Sequence, residues 1–227
     1  MRRYVQTVES LHCHGNRLLA RKTVPHISMF LSGFMCVDII GPSNFDRLVP
    51  IENGFAKFIA AKYSDYYLDY HEETALSEAG YDDDEAFEGY FKEWNAFYRT
   101  WSRVSPLVRL EDRPDRVVSL VRLLDHIRAK PHMHLPKQSI EPLYSFIRGV
   151  QHARVCYAPR ARLEPNFDAY EVWLSKRSPL KKLCRWDRLL LAESSFDEIA
   201  AFGKFFETLD EFCSRNPRQR RISTMNS

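Results

Sequence analysis

The sequence predicts an all-α protein built from two similar helical modules packed against each other. Apolar residues recur every three or four positions along most of the chain, which is the period of an amphipathic helix. The chain also matches itself at an offset of about 115 residues, and the matched positions are mostly aromatic or aliphatic. Glycine is scarce, with 8 residues in 227, and no glycine-rich phosphate-binding loop is present.

In the first module, helices are predicted over residues 27–40, 51–63 and 83–103. The first of them ends at Gly41-Pro42, a pair that commonly terminates a helix. The last carries a continuous aromatic stripe. The acidic run at residues 82–84 supplies its N-cap and suits the positive end of the helix dipole.

In the second module, helices are predicted over residues 115–129, 141–156 and 167–176. The segment from Trp186 to Leu191 is short and apolar, and we interpret it as a helix rather than a strand. Asp197-Glu198 then opens a final helix that carries its own aromatic stripe. These two stripes are expected to lie in the core.

The repeat sets the predicted domain boundaries. Residues 81–91 align with residues 196–206, and one residue of slippage aligns Phe30–Gly33 with Phe146–Gly149. We therefore expect a divergent first module over residues 1–110, a second module over residues 111–213, and a disordered basic tail over residues 214–227.

Composition favours a globular cytoplasmic protein. The chain is 44% hydrophobic, carries a net charge of +3, and has no stretch near the roughly 20 apolar residues that span a bilayer. Its five cysteines are odd in number and have no close spacing, which indicates reduced thiols. No apolar segment of a signal peptide follows the basic start. Neither a cofactor nor a membrane partner is expected.

The second module carries the most specific pattern in the chain. It reads Ile-Arg-Ala-Lys-Pro-His-Met-His over residues 127–134, followed by Phe-Ile-Arg-Gly over residues 146–149 and by Asp197–Phe212. This pattern resembles small, largely uncharacterised bacterial cytosolic proteins with an Ile-Arg-x-Arg-Pro-x-Met-Tyr opening. Some of those proteins look like immunity proteins of polymorphic toxin systems. His134 departs from the tyrosine of that opening.

The resemblance implies a non-enzymatic immunity protein that neutralises a cognate bacterial toxin by blocking its active site or substrate access. A monomer is favoured. Two alternatives stay open: a metal-dependent helical enzyme that uses histidine or acidic residues, and a nucleic-acid-associated regulator built on the basic second module.

An acidic segment with interspersed tyrosines is the predicted partner surface. Carboxylates can attract a basic toxin domain, and tyrosine gives a large contact area at a small entropic cost. The residues are Tyr63, Tyr66, Tyr67, Tyr70, Glu72, Glu73, Asp82, Asp83, Asp84 and Glu85. The competing interpretation is a solvated helix cap and surface.

Two His-x-His units raise the question of a metal site. His12 and His14 lie in the first module, and His132 and His134 lie in the second. Four imidazoles suit an ion such as zinc. Ordinary loop or core histidines are the favoured interpretation, so no metal is predicted.

Overall fold

Helices account for nearly all of the regular structure. The structure is a computed structural model, and it describes residues 2–36, 42–63, 82–104, 118–160, 162–180 and 184–215. Within these ranges the α-helices are α1 (Arg2–Leu18), α2 (Val24–Phe34), α3 (Pro42–Tyr63), α4 (Asp83–Val104), α5 (Val121–Ala129), α6 (Ile140–Tyr157), α7 (Phe167–Arg177), α8 (Trp186–Glu193) and α9 (Glu198–Arg215). The predicted all-α class is confirmed.

Short elements complete the second half of the chain. A 3₁₀-helix covers Pro131–Met133. Strands β1 (Val118–Ser119) and β2 (Leu163–Glu164) pair in parallel, with Val118 opposite Leu163. The pairing is too small to form a layer of its own, so helix packing builds the core.

The chain divides into two compact units that are not simply its two halves. Unit 1 comprises residues 1–113 and 145–158, and unit 2 comprises residues 114–144 and 159–227. Helix α6 therefore gives residues 140–144 to unit 2 and the remainder to unit 1. The predicted modules are drawn from the sequence repeat, whereas these units are defined by which residues lie close together in space. The module boundaries therefore stay a prediction.

The core of unit 1 forms around the aromatic stripe of α4. Phe55 of α3 contacts Tyr90, Trp94 and Phe97, with ring centroids 5.2, 5.1 and 5.5 Å apart. Tyr4 of α1 reaches the same Trp94 ring at 5.8 Å. All of these side chains are buried, so the predicted burial of the first stripe is confirmed.

The core of unit 2 forms around Tyr170 and Trp186. The Trp186 ring lies 4.9 Å from Phe205 and 5.2 Å from Tyr144. The Tyr170 hydroxyl is buried and shares a 2.7 Å hydrogen bond with Thr208, which satisfies a polar group that would otherwise be costly to bury. Trp186 lies in a helix, which confirms the helical interpretation of that segment.

Ring pairs at repeat-related positions have similar geometries. Helices α4 and α9 begin at Asp83 and Glu198, which are 115 positions apart. Phe55–Tyr90 and its counterpart Tyr170–Phe205 are both T-shaped, with ring centroids 5.2 and 5.9 Å apart. Phe58–Phe97 and Trp173–Phe212 have centroids 5.8 and 5.6 Å apart, and the ring planes of both pairs are inclined by 52°. Phe87–Phe91 and Phe202–Phe206 have centroids 5.0 and 5.1 Å apart, and both are inclined by 69°.

Helices α2 and α6 approach closely within unit 1 because each has a glycine at the contact. A β-carbon on Gly33 would overlap the carbonyl oxygen of Phe146 and lie 2.8 Å from its carbonyl carbon. A β-carbon on Gly149 would overlap the carbonyl oxygen of Phe30 and lie 2.8 Å from the amide nitrogen of Phe34. Only glycine leaves room for this backbone contact.

Several element boundaries differ from the sequence-based predictions. Helix α2 ends at Phe34, before the predicted stop, and residues 37–41 lie outside the described ranges. Helix α3 begins at Pro42 rather than near residue 51 and contains Pro50 in its interior. Leu48 and Ile51, on either side of that proline, are buried. Their packing keeps the helix continuous although Pro50 has no amide hydrogen to donate to the preceding turn. Strand β1 lies where a helix was predicted to run.

Candidate functional site

The turn before α9 presents an exposed aromatic residue in an unusual backbone conformation. Ser195 and Phe196 have φ angles of 53° and 64°, in the left-handed region that disfavours residues with a β-carbon. The Phe196 side chain is 75% exposed. Asp197 then caps α9, because its Oδ1 accepts hydrogen bonds from the amides of Ile199 and Ala200, both at 2.9 Å. The predicted start of this helix is confirmed.

A cleft of about 560 Å³ opens beside this turn, and we call it the α9 cleft. Ser139 donates a hydrogen bond to the Glu198 carboxylate, and Lys137 Nζ lies 3.0 Å from Glu198 Oε2. Lys137 and Glu198 therefore pair with each other inside this cleft. Its lining residues are His132, Lys137, Gln138, Ser139, Asp197, Glu198 and Ile199.

Three large apolar side chains in or next to the lining of the α9 cleft are exposed. Ile199 lines the cleft and is 62% exposed, and Phe196 directly precedes the lining residue Asp197. Met133 directly follows the lining residue His132 and is 66% exposed. Exposed apolar groups around a polar depression are typical of sites that bind another molecule. We call Met133, Phe196 and Ile199 the apolar rim.

The described part of the predicted acidic surface is a solvated helix start. Asp82, Asp83, Asp84 and Glu85 are all exposed, and Asp82 Oδ1 accepts a hydrogen bond from the Glu85 amide at 2.9 Å. Asp82 is therefore an N-cap, as predicted. Tyr63 is the last residue of α3, and the structure describes its backbone but not its side chain. The other predicted partner residues, Tyr66, Tyr67, Tyr70, Glu72 and Glu73, lie outside the described residues.

The four histidines of the His-x-His units have separate environments. His12 stacks on Phe91 at 4.4 Å and pairs through Nε2 with Glu88 at 2.8 Å, and His14 lies at a kink of α1. His132 lines the α9 cleft. His134 forms a 2.8 Å hydrogen bond with His126, which belongs to neither of the two His-x-His motifs. Burial lowers the pKa of His134, and His126 lowers it further.

A second cleft, of about 460 Å³, runs between α1 and the C-terminal part of α6 in unit 1. Burial, reinforced by Arg148, lowers the pKa of His152. Burial also raises the pKa of Cys156, so this thiol stays protonated and is a weak nucleophile. The lining residues are all polar or sulfur-containing: Arg3, Gln6, Thr7, Glu9, Ser10, Cys13, His14, His152 and Cys156.

Several arginines that make the second module basic are paired with acids in unit 2. Arg185 forms a 2.6 Å ion pair with Asp187, whose side chain is 1% exposed, and its guanidinium lies over the Tyr144 ring. Arg188 pairs with the buried Glu141 at 3.3 Å. These contacts assign a structural role to side chains that the nucleic-acid alternative would need for phosphate contacts.

Comparisons with protein-family models, with curated proteins and with solved structures found no match. Among the described residues, no three histidine, cysteine, aspartate or glutamate side chains are grouped so that they could hold a metal ion. No helix in the same ranges is both long enough and apolar enough to span a bilayer.

Proposed function

We propose that this protein is a non-enzymatic binding protein of bacterial immunity type, which neutralises a cognate toxin by covering its active site or substrate access. The observation that carries the proposal is Phe196, an aromatic side chain held in solvent by two consecutive left-handed residues. Such a turn costs stability, and strained, exposed features of this kind cluster at functional sites. A protein partner would remove the ring from water.

The apolar rim has the composition of an interface centre. One aromatic and two aliphatic side chains, all exposed, lie in or next to the lining of the cleft that holds the paired charges of Lys137 and Glu198. Aromatic anchors surrounded by polar groups carry much of the binding energy in protein interfaces. We therefore place the toxin-contacting surface at the start of α9, and the predicted acidic surface at the start of α4 stays a second candidate.

We also infer that the two modules arose by duplication of one helical unit. Support comes from the shared offset of α4 and α9, from the matched ring pairs and from the reciprocal glycines. In the repeat, the apolar-rim residue Phe196 corresponds to Tyr81, and Asp197 corresponds to the helix cap Asp82. Both copies therefore place an aromatic residue beside a capping aspartate.

A matched pair of variants tests the function. Ser195→Gly and Phe196→Gly each relieve one left-handed residue, but only Phe196→Gly removes the aromatic ring. The partner probe is the toxin-sized product encoded next to this protein's gene, expressed with each variant in the same cells. Wild type and Ser195→Gly are expected to rescue growth and to co-purify with the toxin, whereas Phe196→Gly is expected to lose both.

Two results would count against the proposal. Toxicity that the wild-type protein does not relieve would remove the immunity function. Rescue by Phe196→Gly equal to that by Ser195→Gly would retain the function and move the interface away from the start of α9.

A further inference from the structure

Two imidazole rings meet at the surface of unit 2. His126 Nδ1 on α5 lies 2.8 Å from His134 Nε2, which belongs to the turn after the 3₁₀-helix. The ring centroids are 4.9 Å apart, and the ring planes are inclined by 75°. One nitrogen donates a proton to the other. Both rings therefore direct a nitrogen toward the same small region, and both side chains are accessible to solvent.

The backbone holds the two rings in this arrangement. The amide of Lys130 donates to the His126 carbonyl at 2.8 Å, and the amide of His134 donates to the Pro131 carbonyl at 3.0 Å. Buried neighbours fix the two ends, because Ile127 is fully buried beside His126 and Leu135 is buried beside His134. The backbone positions of the two histidines are therefore fixed relative to each other.

We propose that His126 and His134 form a two-imidazole binding site for a divalent transition-metal ion of the Ni²⁺ or Zn²⁺ type. Neutral imidazole is a preferred ligand for these ions. Tetrahedral zinc ligation at about 2.0–2.1 Å per bond separates two nitrogens by about 3.3 Å. The observed nitrogens lie 2.8 Å apart with the ring centroids 4.9 Å apart, so the two nitrogens face each other almost head-on. To hold one ion, the pair must open by about half an ångström and both exposed rings must turn so that their lone pairs converge on the ion. The remaining coordination positions are filled by water or by a donor from a bound partner.

The proton balance of binding is simple. In the neutral pair, one ring carries its proton on the shared nitrogen and the other ring carries its proton on the outer nitrogen. When the ion replaces the shared hydrogen bond, the first ring moves its proton to its outer nitrogen through water. Two neutral rings therefore release no proton, and a ring that was protonated beforehand releases one.

This site differs from the His-x-His units considered in the sequence. It pairs His134 with a residue eight positions earlier, whereas His132 lines the α9 cleft. None of the apolar-rim residues supplies a ligand, so Ni²⁺ binding and toxin binding are tested by different variants.

Calorimetric titration of the full-length chain with Ni²⁺ in a non-chelating buffer tests the proposal. Wild type is expected to show saturable binding of one ion. His126→Ala and His134→Ala are each expected to weaken that binding by about tenfold or more, the loss of one ligand costing at least 1.4 kcal/mol. His132→Ala and Cys13→Ser, which alter an exposed imidazole and an exposed thiol, are expected to bind like wild type.

Three outcomes would overturn the site. Wild type could show no saturable binding, or the two ligand variants could bind as tightly as wild type. Loss of binding in Cys13→Ser with retention in His126→Ala would assign the ion to a thiol instead. Thermal melting of every variant, without Ni²⁺, checks that the fold is retained.

Discussion

Gly33 and Gly149 occupy reciprocal positions on α2 and α6, each lying against the backbone of the helix that carries the other. They are also matched by the sequence repeat, through Phe30–Gly33 and Phe146–Gly149. A contact between two helices that uses the same motif from both sides is what a duplicated unit with approximate two-fold symmetry would produce. The contact therefore links the proposed duplication to the stability of unit 1.

Replacing either glycine by alanine should destabilise the protein. The added methyl group meets a backbone carbonyl in both cases, so the helices must separate, at a cost of about 3 kcal/mol in the free energy of unfolding. Gly203 on α9 is the matched control, because a β-carbon there meets nothing within 4 Å. Gly203→Ala should stabilise by about 0.5–1 kcal/mol through helix propensity. Urea unfolding of the three variants measures both effects, and equal changes would contradict the packing argument.

The buried ion pair of unit 2 should matter more than an exposed one. Asp187→Ala leaves the half-buried Arg185 guanidinium without this partner, and we expect a loss of about 2–3 kcal/mol. Asp210→Ala breaks the exposed pair with Arg128 and should cost about 0.5 kcal/mol or less. Thermal melting in low and high salt separates the two cases. A larger effect of Asp210→Ala would refute the assignment.

The contribution of the acidic start of α4 to toxin binding can be tested separately from its contribution as a helix cap. The Asp82 side chain accepts a hydrogen bond from the Glu85 amide, so Asp82→Ala should lower the free energy of unfolding by about 1 kcal/mol. Asp83→Asn with Asp84→Asn removes two charges from the first turn at a few tenths of a kcal/mol each. If this surface binds the toxin, the Asn variant should bind it more weakly, especially at low salt, while keeping its melting temperature. Unchanged affinity would leave these acids as a solvated helix start.

His152 should make the protein less stable in mild acid. Its pKa is lowered below the ordinary value of 6.5, so below that pH the unfolded chain binds a proton at this ring more readily than the folded chain. Stability from the neutral ring is present above about pH 6.5 and is lost as the pH falls toward the lowered pKa. His152→Gln should therefore lose less stability than wild type between about pH 7.5 and pH 5.5. Chemical unfolding at both values tests this, and parallel losses would exclude His152.

The sequence was sufficient for the helical class and for the buried aromatic stripes, because both depend on local periodicity. It also located the starts of α4 and α9, since Asp82 and Asp197 are helix caps with a local mechanism. Helix α1 was not predicted, and α3 was predicted nine residues too short. The missing turns contain Pro50, and burial of Leu48 and Ile51 outweighs the hydrogen bond that this proline cannot make.

The candidate sites were less predictable because they depend on tertiary contacts. The repeat aligned Phe196 with Tyr81, but no local rule indicated that its ring would be exposed or that its φ angle would be positive. His126 lies on a helical segment without any His-x-His spacing, and only the fold of the following turn brings it to His134. Of the predicted partner surface, the structure describes the acids at the start of α4 and the backbone of Tyr63.

Helix α6 has a consequence for the order in which the protein can fold during synthesis. Residues 145–158 belong to unit 1, although residues 114–144 of unit 2 precede them in the chain. A ribosome that has released the first 113 residues has not yet supplied the backbone of Phe146 or the glycine at position 149. The face of α2 around Gly33 therefore stays uncovered while the start of unit 2 emerges, and unit 1 closes only after residue 158 leaves the exit tunnel.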